Sequence, residues 1–83
     1  MDRNKLISEL TQLDERERKG NRWNPYALPQ YFQAADSVME LIAEGSTAEK
    51  AFSDCFTPTR GMHRVARNMG LKLDVQKGNW IAG

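Results

Sequence analysis

The chain has 83 residues, of which 40% are hydrophobic and 28% charged, and its net charge is +1. This composition is globular and excludes an intrinsically disordered or a membrane-spanning protein, because no apolar run approaches the roughly 18 residues that a bilayer span needs. A charged N-terminus and a single cysteine give no indication of a signal peptide or an internal disulfide, so we expect a cytoplasmic protein. A chain this short has little room for an enclosed active site and only a marginal core, so we expect a non-enzyme that a partner or a homo-oligomer stabilises.

Residues 2–19 are predicted to form the first helix. Asp2 is a suitable N-cap, because its carboxylate can accept hydrogen bonds from the unpaired N–H groups of the first turn. Gly20 and Asn21 are suitable residues to end the helix. The run 14–19 is entirely polar, and we expect it to extend the helix into solvent.

Three leucines of this helix lie four and three residues apart and form one narrow apolar stripe. Such a stripe can pack on a core or on a second chain. We therefore predict that residues 1–20 are an N-terminal amphipathic helix and a possible oligomerisation arm, joined to a helical domain over residues 21–83. The stripe consists of Leu6, Leu10 and Leu13.

Residues 21–29 are predicted to be a connector, because Pro25 and Pro29 prevent a regular helix across them. The connector carries Trp23 and Tyr26, which we expect to cover the end of the core. The alternative is that these two aromatic residues form a partner-binding spot.

Two helices are predicted to follow, over residues 29–45 and 46–56. Ser46 followed three residues later by Glu49 predicts a capping box at the start of the second of them. Apolar spacing predicts that the first is the central core helix. The residues expected to face the core from it are Phe32, Ala35, Val38, Met39 and Ile42.

A fourth helix is predicted over residues 58–69. Thr57 is a suitable N-cap, Pro58 suits the first turn, and Gly70 ends the helix. Apolar residues at buried spacing occupy one face of it. The opposite, exposed arc carries His63, Arg64, Arg67 and Asn68.

The tail, residues 71–83, changes to the alternating pattern of strands. Apolar and polar residues alternate from Leu71 to Val75, and Gly78 provides a turn before a second strand at Trp80. A β-hairpin is therefore predicted. The expected fold class is mainly α, with four helices and a C-terminal β-hairpin in a winged helix-turn-helix-like arrangement.

Catalytic residues are not indicated. A thiol nucleophile needs a base within hydrogen-bond reach, but Cys55 is predicted on the apolar side of its helix and His63 on the exposed side of the next. Cysteine, histidine and acidic residues do not show the spacing of a metal site, and the glycines mark helix ends and turns rather than a phosphate-binding loop. We expect no enzyme activity, no metal and no cofactor.

The positive charge is concentrated at the C-terminal end. Residues 1–57 contain seven Lys and Arg against ten Asp and Glu, whereas residues 58–83 contain five against one, a net +4. Arginine can bond two acceptors on guanine, asparagine can do so on adenine, and lysines of a hairpin can reach phosphates. We therefore predict a helix-turn-helix over residues 46–70, with the hairpin as its wing. The predicted contact residues are Arg60, His63, Arg64, Arg67, Asn68, Lys72 and Lys77.

The order of elements over residues 30–82 resembles the winged helix-turn-helix proteins. The resemblance implies that the helix over residues 58–69 enters the major groove and that the hairpin contacts the backbone. The usual motif has a small residue, most often glycine, in its turn, whereas this chain has Thr57-Pro58-Thr59.

The alternative is regulation through a protein partner. In length and character the chain is similar to small regulators of phages and mobile elements, among them excisionase-like winged proteins, antirepressors and inhibitors of host enzymes. This similarity implies a bacterial or phage-infected host cell and a partner that is either DNA or a regulatory protein such as a repressor. In the second case the basic helix, or Trp23 and Tyr26, would bind an acidic protein surface.

Overall fold

Four helices and a C-terminal hairpin make up the computed structural model, which describes residues 1–83 and confirms the predicted fold class. The strands pair antiparallel, with Leu71 opposite Ala82 and Leu73 opposite Trp80. None of the helices is both long and apolar enough to cross a bilayer. The elements are α1 (Arg3–Lys19), α2 (Ala27–Ala43), α3 (Ala48–Cys55), α4 (Met62–Asn68), β1 (Leu71–Asp74) and β2 (Asn79–Ala82).

One cluster of 13 buried residues, drawn from all six elements, forms the core. Leu6 and Leu10 are fully buried in it and Leu13 is 3% exposed. The prediction that these leucines form an oligomerisation arm is therefore wrong, because their stripe is covered within the chain. For the same reason residues 1–20 belong to the single domain, with α1 packed on α2 and α4.

The two ends of α1 differ from each other in how well they were predicted. Asp2 is the N-cap, as expected, and accepts hydrogen bonds from the backbone of Asn4 and Lys5. At the other end, Asp14 is only 5% exposed and Arg16 is half-buried. One side of the last turns of α1 thus lies against the protein, while Glu15, Arg18 and Lys19 are exposed to solvent.

The connector after α1 is shorter than predicted, since α2 begins at Ala27. Pro29 is accommodated as the third residue of α2, where its missing N–H removes no intrahelical hydrogen bond. Trp23 is 45% and Tyr26 is 73% exposed. The expectation that they cover the end of the core is therefore wrong.

Helix α2 contributes less to the core than its apolar pattern predicted. Only Ala35 and Val38 are buried, whereas Phe32, Met39 and Ile42 are half-buried. The large side chains at the centre come instead from α3 and the hairpin, because Phe52 and Trp80 fill the space between those elements.

The cap of α3 is Thr47, one residue later than the predicted capping box at Ser46. The Thr47 hydroxyl accepts a hydrogen bond from the backbone N–H of Lys50. Glu49 consequently lies in the first turn of the helix, where a carboxylate interacts favourably with the helix dipole.

Replacing Thr47 by alanine should lower the free energy of unfolding by about 1 kcal/mol, because the capping hydroxyl is lost. Ser46→Ala is the matched control and should change it by less than about 0.5 kcal/mol. Urea denaturation of both variants measures the difference. An equal loss in the two, or a larger one in Ser46→Ala, would contradict the position of the cap.

Helix α4 is shorter than the predicted helix over residues 58–69. It begins at Met62, its N-cap position is Gly61, and no side chain caps it. Thr57 and Pro58 belong to a connector over residues 56–61. A methyl group on Gly61 would lie 2.8 Å from Leu13 Cδ1, so the close packing of this connector on α1 favours glycine.

Trp80 attaches the hairpin to the helices. Its indole N–H donates to the Phe56 carbonyl at 3.0 Å, and its backbone N–H donates to Ser53 Oγ at 2.9 Å. Its ring packs edge-on against Phe52. The hairpin therefore has a fixed position next to α4, on which the geometry of the candidate site depends.

Candidate nucleic-acid interface

Five of the seven predicted contact residues line one cleft between α4 and β1, which we call the α4 cleft. The cleft has a volume of about 330 Å³. Its apolar lining comes from Leu71, Leu73 and Trp80, and every charged side chain in its lining is a cation. The polar residues that line it are Arg60, His63, Arg64, Arg67 and Lys72.

Helical periodicity places three of these residues on the solvent side of α4. Met62, Val65 and Ala66 are buried, which turns the opposite arc outward. His63, Arg64 and Arg67 are accordingly exposed, as predicted. Arg60 precedes the helix and Lys72 follows it on β1, so a positively charged residue flanks the exposed arc at each end.

His63 also contacts the hairpin. Its imidazole ring lies edge-on to the Trp80 ring, with 5.4 Å between the ring centroids. The contact joins an exposed residue of α4 to a buried residue of β2. This contact, which lies in the cleft, therefore helps to hold α4 in its orientation toward the hairpin.

Two predicted contact residues lie outside the α4 cleft. Asn68 is exposed, but its side-chain amide donates to Glu9 Oε1 of α1 at 2.8 Å. The amide that was expected to contact adenine therefore already has a hydrogen-bond partner within the chain. Lys77 is exposed in the hairpin turn, where its backbone N–H donates to Asp74 Oδ1.

A second cleft, which we call the α1 cleft, lies between the end of α1, α2 and the connector before α4. Its volume is about 690 Å³, and its lining includes Arg16, Arg22 and Arg60. Sequence reasoning missed it because Arg16 lies in a polar run that was expected to face solvent. The only feature of the sequence that pointed to this cleft was the number of arginines near the end of α1.

Tyr31 and Glu17 also line the α1 cleft. The Tyr31 hydroxyl donates to Glu17 Oε1 at 2.7 Å. Burial, then the hydrogen bond and the charge of Glu17, and finally the charge of Asp14, raise the pKa of Tyr31 to about 12. The hydroxyl therefore stays protonated at neutral pH and remains a donor to Glu17.

Cys55 is half-buried on α3. Burial, followed by the nearby charge of Asp54, raises the pKa of its thiol. The thiolate that a nucleophile requires is thus disfavoured at neutral pH. No group of three or more His, Cys, Asp or Glu is placed to hold a metal ion.

A separate apolar surface lies on α2. Leu28, Phe32 and Met39 share one helical face, are half-buried and stand outside the core cluster. Trp23 and Tyr26 are exposed just before this helix, and the Arg18 guanidinium lies 4.6 Å from the centroid of the Trp23 ring. The protein thus presents two chemically different surfaces, one basic and one apolar.

No protein-family model, curated protein or solved structure matches this chain.

Proposed function

We propose that this protein is a non-catalytic transcription regulator of the phage or mobile-element type, which binds duplex DNA through α4 and the C-terminal hairpin. The α4 cleft is the observation that carries the proposal. Four cationic side chains and one histidine converge there, from α4, the connector before it and the strand beside it. A concentrated positive surface of this kind attracts the phosphate backbone.

The two elements have different roles in this proposal. Arg64 and Arg67 project from the exposed arc of α4 and contact base edges in the major groove, where arginine can bond guanine in a bidentate manner. Lys72 on β1 and Lys77 in the hairpin turn bind phosphates. These contacts are sequence-independent and set the position of the helix on the duplex.

The order of elements supports the winged arrangement, while the connector differs from the usual motif. Six residues, 56–61, separate α3 from α4, which is longer than the usual turn of three or four residues. Helix α4 packs on α1 and β1, and α3 packs on α2 and β2. In this proposal the angle of α4 is therefore set by α1 and the hairpin.

Binding of a labelled duplex should weaken steeply as salt increases from about 50 to 200 mM. If Arg60, Lys72 and Lys77 each neutralise one phosphate, the slope of log K against log salt should be about −2.7. Fluorescence anisotropy over this range measures it. Absence of duplex affinity at low salt, or affinity that does not depend on salt, would contradict the proposal.

The apolar surface favours one second candidate, a protein-binding antirepressor or inhibitor that disables a repressor or a host protein by direct contact. Half-buried Phe32 and Met39, with exposed Tyr26, supply side chains of the kind that anchor protein interfaces. Under this candidate, one stoichiometric protein should co-purify after nuclease treatment. A partner that is lost with the DNA counts against it.

A homo-oligomer and a cytoplasmic location in a bacterial or phage-infected cell are part of the same proposal. Because the leucine stripe of α1 is buried, the face of α2 formed by Leu28, Phe32 and Met39 is the available apolar surface for self-association. A dimer would double the number of phosphate contacts and steepen the salt dependence.

A further inference from the structure

The α1 cleft contains an unsatisfied cation. Arg16 Nη2 is buried and has no hydrogen-bond partner. A buried donor without an acceptor is costly, and for a charged group the cost is higher than for a neutral one. Arg16 also lines the cleft, so an anion bound there, with the guanidinium turned toward it, would supply the missing acceptor in a charge-assisted hydrogen bond.

The charges around this nitrogen favour an anion as well. Arg16, Arg22 and Arg60 line the cleft, and the only acidic residue in its lining is Glu17. One oxygen of Glu17 already accepts the hydrogen bond from Tyr31. Asp14 is nearby and almost fully buried, and it does not line the cleft. Positive charge therefore predominates in the space that is open to a ligand.

The α1 cleft is next to the α4 cleft. Arg60 lines both of them, at the start of the segment that leads into α4. Positive side chains thus line both clefts, from Lys72 on β1, past α4 and the shared Arg60, to Arg16 and Arg22 at the end of α1. A polyanion lying along α4 would reach the α1 cleft without leaving the protein surface.

We infer that the α1 cleft is a second phosphate-binding site, which holds a backbone phosphate of the same duplex that occupies the α4 cleft. The inference rests on the proposed function and extends it. Arg16 and Arg22 neutralise and position the phosphate, and Arg60 connects the two sites. The contact is with the backbone, so it adds affinity without sequence preference.

Duplex binding by the full chain tests the inference through two single variants, Arg16→Ala and Arg22→Ala. Each should lower affinity by up to roughly eightfold at about 0.1 M salt and reduce the magnitude of the salt slope by up to about 0.9, which is the full loss of one phosphate contact. The loss should be equal for specific and nonspecific duplexes. Arg22 is exposed, so its replacement tests the site even if Arg16→Ala perturbs the fold.

Arg18→Ala is the control, because it removes the same charge from the same helix but lines neither cleft. It should leave the salt slope unchanged. If the wild type binds duplex and Arg22→Ala keeps the wild-type slope, the second site is overturned while the proposed function stands. If the wild type binds no duplex at low salt, both are overturned, and binding of an acidic protein at these arginines would then account for the charge.

Discussion

Replacing Arg64 and Arg67 together by alanine should strongly weaken binding to duplex DNA while the protein stays folded. Both side chains are exposed on α4 and line the α4 cleft. Loss of a bidentate arginine contact to a base costs about 1–3 kcal/mol. The two together therefore correspond to a weakening of roughly 30-fold to 10⁴-fold, measured by fluorescence anisotropy or an electrophoretic shift.

The matched control for this double variant is Lys5→Ala with Lys50→Ala. It also removes two positive charges, and both lysines are exposed and lie outside the two clefts. The control should bind duplex almost as the wild type does, and circular dichroism should show native helix content for both proteins. If the arginine variant bound duplex DNA with wild-type affinity, α4 would not be part of the DNA interface.

Replacing Trp80 by alanine should remove a large share of the free energy of unfolding. Trp80 is 2% exposed, packs on Phe52 and donates to the Phe56 carbonyl. Truncation of a buried tryptophan costs about 3–5 kcal/mol. At about 0.05–0.15 kcal/mol per residue, a chain of this length has a total stability of roughly 4–12 kcal/mol.

Trp23→Ala is the control for this variant, since Trp23 is the other tryptophan of the chain and is largely exposed. It loses its contact with Arg18 and should change stability by no more than about 1 kcal/mol. Trp80→Phe should be intermediate, because a smaller aromatic ring remains in the core but the indole N–H is lost. Thermal unfolding of the three variants gives their order of stability. Wild-type stability of Trp80→Ala would contradict the role of Trp80 in the core.

The exposed basic face of α4 was largely predictable from spacing along the chain. The exposed arc of α4 follows from helical periodicity, because burying Met62 and Val65 turns His63, Arg64 and Arg67 outward. Asn68 shares that periodicity, yet its amide is taken up by Glu9. Periodicity assigns a residue to a face, but it contains no information about which other helix lies beside that face.

Element starts were predicted less well than the elements themselves. Thr57 and Ser46 both have the chemistry of an N-cap, but the caps lie at Gly61 and Thr47. Several nearby residues can cap a helix at similar free energy. At α4, the close packing of Gly61 against Leu13 accompanies the later start of the helix.

Residue type and neighbours along the chain were sufficient to predict the fold class, the spacing of the buried and exposed faces, and the concentration of positive charge in the last 26 residues. Three outcomes became visible only in the folded chain: the leucines of α1 belong to the core, Trp23 and Tyr26 are exposed, and Arg16 and Arg22 meet Arg60 in one cleft. Those outcomes depend on contacts between residues far apart in the chain. Their free energies come from packing between elements, which local pattern does not specify.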